Sequence, residues 1–145
     1  MDEREFPNRP ILAVSAAVFR EGRALIVRRA RAPLIGYFSL PGGVVEIGEM
    51  LAQAVARELM EEVGVAAEIV GFNRHIEAIA REGERFRTHY VVASFVARWI
   101  SGEPRLSDEV DRLEWIDPAA APPSPTTPGL AEVLAAAARI EREGS

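Results

Sequence analysis

Apolar positions along the chain follow two different periods, and the change of period marks its elements. Ile11 to Arg20 (ILAVSAAVFR) is a nearly continuous apolar run of strand length. Glu21-Gly22 is a tight-turn pair, and Ala24 to Arg29 (ALIVRR) is the hairpin partner. Residues 31–38 (RAPLIGYF) carry Pro and Gly and predict a loop, after which Ser39-Leu40 enters a Pro41-Gly42-Gly43 corner and Val44 to Ile47 is a short extended piece. From Gly48-Glu49 the period becomes helical: Leu51, Val55, Leu59 and Val63 fall four apart with alanines between them. Gly64 stands where a left-handed C-terminal cap belongs. Two longer strand patterns follow, roughly Ala67 to Ala80 and Arg85 to Ala97, around a turn-like Arg81-Glu82-Gly83-Glu84. Ser101 to Pro104 breaks the chain, Leu113 to Ile116 predicts a short strand, the proline-rich residues 119–128 predict a surface loop, and Gly129 to Glu143 is alanine-rich and helical. The predicted class is α+β (mixed α/β): several strands, one central helix and one terminal helix.

A chain of 145 residues can bury one ordinary core, and too little follows the proline-rich segment to form another, so residues 1–145 are read as a single domain. With no cysteine there is no disulfide framework, thiolate metal site or cysteine nucleophile. The basic residues are all arginine, 17 of them against 22 acids, for a net charge of −5. The absence of lysine removes Schiff-base chemistry and a lysine-bearing phosphate loop. The arginines are scattered among acids instead of forming a basic stripe, which argues against nucleic-acid binding. No apolar run reaches the roughly 18 residues of a membrane span, and the acidic start MDEREFPNRP does not resemble a secretory signal. A cytoplasmic protein without membrane contact is the expectation.

Chemistry concentrates between Gly43 and Val65. Glu58, Glu61 and Glu62 fall at i, i+3 and i+4 and share one face of the predicted helix. Like charges at that spacing cost a few tenths of a kcal/mol. Acids in the last helical turn also oppose the helix dipole by roughly 0.3–1 kcal/mol each. A divalent cation on that face turns the penalty into a gain, and an all-oxygen donor set suits Mg²⁺ or Mn²⁺. Taken alone, the three glutamates fit a solvated acidic face without a ligand better than a metal site.

Their surroundings decide between these readings. Gly43, five residues, Glu49, seven residues and then Arg57-Glu58-Leu59-Met60-Glu61-Glu62-Val63-Gly64-Val65 resembles the complete Nudix box, G-x5-E-x7-R-E-U-x-E-E-x-G-U, with U a bulky aliphatic residue. The resemblance implies a mixed sheet between helices, with the box at 43–65 forming a loop-helix-loop. It implies metal binding by Glu58, Glu61, Glu62 and the Gly42 carbonyl, and an Arg57–Glu49 ion pair that orients the cluster. The implied reaction is Mg²⁺-dependent hydrolysis of a nucleoside diphosphate linked to another group, by attack of an activated water on phosphorus. Relatives often carry a general base outside the box, before the last sheet strand. Glu109 is the leading candidate there, with Asp108 and Glu103 behind it.

Substrate contacts are sought near the corner. Arg28 and Arg29 end a strand leading to the box; alternation turns only one inward, and Arg29 is chosen as the phosphate ligand. Tyr37 and Phe38, with Leu40, precede the glycine corner and are candidates for contacting the base. His75 and His89 are read as sheet residues, and Trp99 and Trp115 as core. Three stretches, YFSLPGGVVEIGE, THYVVASFVAR and GEPRLSDEVDRLEW, resemble the short bacterial ADP-ribose pyrophosphatase-type branch, which implies ADP-ribose or a related ADP-sugar cleaved to AMP and a sugar phosphate. Many ADP-ribose-specific members have a proline about fifteen residues after the box, where this chain has Ala80. The alternatives are a MutT-like enzyme that cleanses oxidised (d)NTPs and a non-catalytic nucleotide sensor. The expected partner is a small-molecule nucleotide, and the protein is expected as monomer or homodimer.

Overall fold

The computed structural model describes residues 4–144; residues 1–3, the start of the acidic stretch that does not resemble a secretory signal, and residue 145 lie outside the described residues. Along the chain run β1 (Ile11–Arg20), β2 (Arg23–Arg29), β3 (Phe38–Ser39), β4 (Gly42–Val44), α1 (Leu51–Val63), β5 (Ala66–Glu82), β6 (Arg85–Ser101), β7 (Val110–Ile116) and α2 (Leu130–Glu143). The sheet is mixed. Its path is β3-β2-β1-β6-β5, with β4 paired to β1 and β7 to β2. Only β1 and β6 run parallel, in register from Ile11↔Tyr90 to Phe19↔Arg98.

The apolar run of β1 is explained by burial on both faces. Val14, Ala16 and Val18 face α1, where Val55, Leu59 and Val63 complete a core with Leu25, Val27 and Ala97. Ala17 and Phe19 face α2, where Leu130, Leu134 and Ala137 close a second core with Ile26, Phe38 and Val96. The result is the predicted α+β arrangement, a mixed sheet between two helices. Among the described residues, no helix is long and apolar enough to cross a membrane.

Several boundaries differ from the sequence reading. Helix α1 begins at Leu51, not at Gly48-Glu49, because residues 47–48 form a turn and the Met50 N–H bonds the Gln53 Oε1 at 2.8 Å. Gly64 caps it in the left-handed region, φ 74°. The extended piece assigned to Val44–Ile47 lies at Gly42–Val44, where β1 offers pairing partners. Strands β5 and β6 pair out to Glu82↔Arg85, so the four-residue turn shrinks to Gly83-Glu84. Strand β7 starts three residues early because Val110 to Arg112 pair with the end of β2.

Candidate active site

Strand β4 is wedged between β1 and the start of α1, and both of its glycines are demanded by that wedge. A side chain at Gly42 would strike the Val14 carbonyl, and one at Gly43 would strike the Glu58 carboxyl group. Glycine alone lets the backbone lie this close to the acids on α1.

Those acids converge with a third from outside the helix. Glu58, Glu62 and Glu109 each present an oxygen, all within 4.8 Å of one another. Glu109 is delivered by the segment entering β7, and its carbonyl accepts the Ala30 N–H at 2.9 Å, which fastens that segment to the end of β2. At the same end of β2 the register with β7 shifts between Arg28 and Arg29. Such a bulge re-aims neighbouring side chains. Arg28 pairs with Asp111 at 2.7 Å. Arg29 lies beside Glu62, lowering its pKa, and its Nε donates to the Pro33 carbonyl at 2.6 Å.

Arg57 organises the rim. It grips Glu49 with two arms, Nε to Oε2 at 2.6 Å and NH2 to Oε1 at 2.9 Å. It also donates to Glu58 at 2.8 Å, Glu61 at 3.1 Å and the Val44 carbonyl at 3.0 Å. This fork ties the loop before α1, the strand β4 and the helix to one planar cation. Glu61 lies outside the three-carboxylate group, with its side chain 62% exposed and turned to Arg57.

Electrostatics separate the acids. Glu49 is held down at about 2, first by its hydrogen bond to Arg57 and then by the Glu46 N–H. Arg57 is pushed further up, chiefly by Glu49. Glu58 is raised, with burial outweighing the Arg57 hydrogen bond. Glu62, only 7% exposed, is pushed up to about 8 by burial and by the charges of Glu109 and Glu58, while Arg29 and a backbone hydrogen bond from Gly42 oppose the rise. A like-charged carboxylate trio with Glu62 buried and Glu58 half-buried is an unfavourable arrangement by itself. The all-oxygen donors around it fit a hard divalent cation.

The remaining sequence candidates are dispersed. Asp108 reaches Arg31 at 3.5 Å and Glu103 reaches Arg20 at 2.9 Å, so neither belongs to the trio. Tyr37 is half-buried beside the same loop, and its carbonyl accepts the Arg29 N–H at 2.9 Å. Phe38 corrects the sequence reading: its ring is 3% exposed in the core beneath α2, leaving no open face for a base. Alternation along β3 turns it inward, and Leu40 is half-buried against the same core. His75 and His89 sit on β5 and β6. Trp99 and Trp115 pack half-buried at the α1-side core, with the Arg20 guanidinium 3.7 Å from the Trp99 ring centroid. Sequence reading missed the Val44 carbonyl and Glu46, whose carboxylate lies 3.8 Å from Arg57; an acid three residues before Glu49 was the only signal.

The NUDIX domain family model matches residues 9–137. The chain belongs to the Nudix family. Nudix hydrolases generally use divalent metals, in keeping with the acidic group here. A curated relative from Methanocaldococcus jannaschii, named an ADP-ribose pyrophosphatase, is 31% identical over 108 residues, 74% of this chain and 62% of its own length. A Mycobacterium tuberculosis protein named a putative 8-oxo-dGTP diphosphatase is 36% identical over 99 residues, 67% of each chain. The crystal structure of a MutT Nudix hydrolase from Burkholderia pseudomallei superposes with a TM-score of 0.78 at 33% identity, covering 88% of this chain and 98% of that one. Several curated relatives are longer, and this chain spans 62% or less of their length.

Proposed function

We propose that this Nudix protein hydrolyses a nucleoside diphosphate linked to a second group, with ADP-ribose or a related ADP-sugar as substrate and AMP and a sugar phosphate as products. The observation that carries the reading is the meeting of Glu58, Glu62 and Glu109 within 4.8 Å, with Arg29 beside Glu62. Glu58 and Glu62, with the Gly42 carbonyl and with Glu61 at the exposed edge, would hold Mg²⁺ or Mn²⁺. Bound there, the cation supplies neutralisation of diphosphate charge and a water of lowered pKa.

The chain's own residues do the rest. Arg29 offers its guanidinium to a phosphate oxygen. Arg57 and Glu49 hold Glu58 in position. Glu109, the exposed member of the trio, takes the proton from the attacking water as oxygen adds to phosphorus and the other phosphate departs. The archaeal relative's name supports ADP-ribose. The mycobacterial relative's name favours a second reading, hydrolysis of an oxidised deoxynucleoside triphosphate to monophosphate and pyrophosphate.

Incubation with Mg²⁺ and ADP-ribose, other ADP-sugars and a (d)NTP panel including 8-oxo-dGTP separates the two. AMP from ADP-ribose, absent with Glu62→Gln, is the expected result. Pyrophosphate from a nucleotide in place of AMP assigns the second reading, and nucleotide binding without any product overturns both.

A further inference from the structure

The segment before β1 lies across the far end of β6. The Phe6 N–H donates to the Arg87 carbonyl at 2.8 Å, and the Arg85 guanidinium sits 3.8 Å from the Phe6 ring centroid. One arm of Arg87 bonds Glu5 Oε1 at 3.1 Å and another bonds Glu82 at 3.1 Å. Against this strap opens a pocket of about 340 Å³, whose other walls include Leu34, Ile35, Ala80 and Tyr90.

The pocket's place connects it to the acids. Pro33, also in its wall, is the residue whose carbonyl holds the Arg29 Nε at 2.6 Å. Tyr90 lies on β6 opposite Ile11, and Ser94 lies opposite Ser15, which pairs in turn with Gly42. Four residues of strand at roughly 3.3 Å each put Tyr90 about 13 Å from the level of Gly42. That is the reach of a diphosphate and one ribose.

Its lining narrows the ligand. Apolar side chains form most of the walls, while one carboxylate, Glu5, and two guanidiniums, Arg4 and Arg87, stand at its polar edge. The ion pair engages Oε1 of Glu5, and Oε2 has no further hydrogen-bond partner among the described residues. A flat heteroaromatic ring with donors and acceptors along one edge satisfies both parts of this lining. A sugar phosphate would leave the apolar walls of Pro33, Leu34, Ile35 and Ala80 unused.

We propose that this pocket holds the nucleobase of the substrate, that Glu5 and Arg87 read its polar edge, and that Phe6 is the anchor holding Glu5 in place. The assignment rests on the hydrolase reading for the direction in which the substrate lies. AMP and ribose 5-phosphate, the two halves of ADP-ribose, are the probes, titrated calorimetrically against the full chain with Mg²⁺. AMP should bind at least about tenfold more tightly than ribose 5-phosphate. Glu5→Gln and Phe6→Ala should each weaken AMP about tenfold, leave ribose 5-phosphate unchanged, and raise KM for ADP-ribose with kcat retained. Phe6 belongs to neither core, so its removal spares the fold. Equal or tighter binding of ribose 5-phosphate overturns the assignment, as does AMP affinity that neither substitution moves. AMP binding that depends on Glu5 without hydrolysis overturns the reaction and keeps the pocket. Hydrolysis with AMP affinity unmoved overturns the pocket alone.

Discussion

Helices α1 and α2 pack on opposite faces of one sheet, with 13 and 14 residues, and they are built to opposite electrostatic rules. Helix α2 has Glu132 in its first turn and Arg142 in its last, each complementing the helix dipole, and it buries only apolar side chains. Helix α1 has no acid in its first turn and no base in its last. It places Glu61 and Glu62 at its negative end and buries Glu62 among Val55, Leu59 and Val63. The two helices supply similar apolar faces, so the difference does not arise from packing. One is arranged for stability alone, and the other keeps a destabilising carboxylate that only a cation or a proton relieves.

The largest test of that contrast is Glu62→Gln. Hydrolysis should fall by about a thousandfold or more, the scale of losing a group that acts on transition-state charge. Stability should move the other way. The folded pKa of about 8 lies above the ordinary 4.5, so the folded protein holds the Glu62 proton where the unfolded chain has released it. That contribution is complete below pH 4.5 and drains away as pH rises to about 8. Metal-free wild type should therefore melt at lower temperature at pH 8 than at pH 5.5, Mg²⁺ should restore it at pH 8, and both dependences should be smaller in the glutamine variant, with Glu58 supplying what remains. A wild-type melting point indifferent to pH and to Mg²⁺ would falsify the strained-helix account.

Leu134→Ala tests the other helix. Leu134 is fully buried, and its truncation should cost about 2–5 kcal/mol through lost transfer energy and the cavity left behind. Denaturant titration should show that loss, while kcat per folded molecule stays within about twofold. A large fall in kcat would mean that α2 also shapes the acid site.

This division between the helices explains how far the sequence could be read. The spacing of Leu51, Val55, Leu59 and Val63, the Gly64 cap and the alanine-rich tail are local signals, and both helices were legible from them. Strand ends depend on partners distant in sequence. Val110 to Arg112 read as polar loop until β2 pairs with them, and Arg81-Glu82 read as turn until Arg85 and Phe86 do. The acids of the box were legible for the same local reason, since helical period fixes their shared face. The convergence of Glu109 with them was inferable only from resemblance, because it depends on the Ala30–Glu109 backbone bond. Phe38 was misread because aromatic identity says nothing of which face of a two-residue strand it takes. The pocket beside Glu5 joins residues more than eighty positions apart, and no pattern along the chain announces it.

Glu109→Gln sharpens the contrast from outside both helices. The side chain is exposed, so folding should be unaffected. Turnover should drop at least about tenfold if it takes the water's proton. Its charge is also one of those holding Glu62 up, so the variant should ease part of the high-pH loss of stability in the metal-free protein. Near-normal turnover would remove Glu109 from the chemistry while leaving its electrostatic effect measurable by melting alone.

The smallest effect lies at the end of α2. Arg142 is exposed and stands in the last turn, where the dipole favours a cation by about 0.3–1 kcal/mol at low ionic strength. Arg142→Gln should therefore lower Tm by only about 1–4 °C. The difference should fade near 1 M salt, where charges are screened over roughly 3 Å. Hydrolysis should not change, since the helix packs on the face opposite the acids. A loss that survives high salt would assign Arg142 a packing role in place of an electrostatic one. The two helices would then differ in their buried faces and not in how each treats its own dipole.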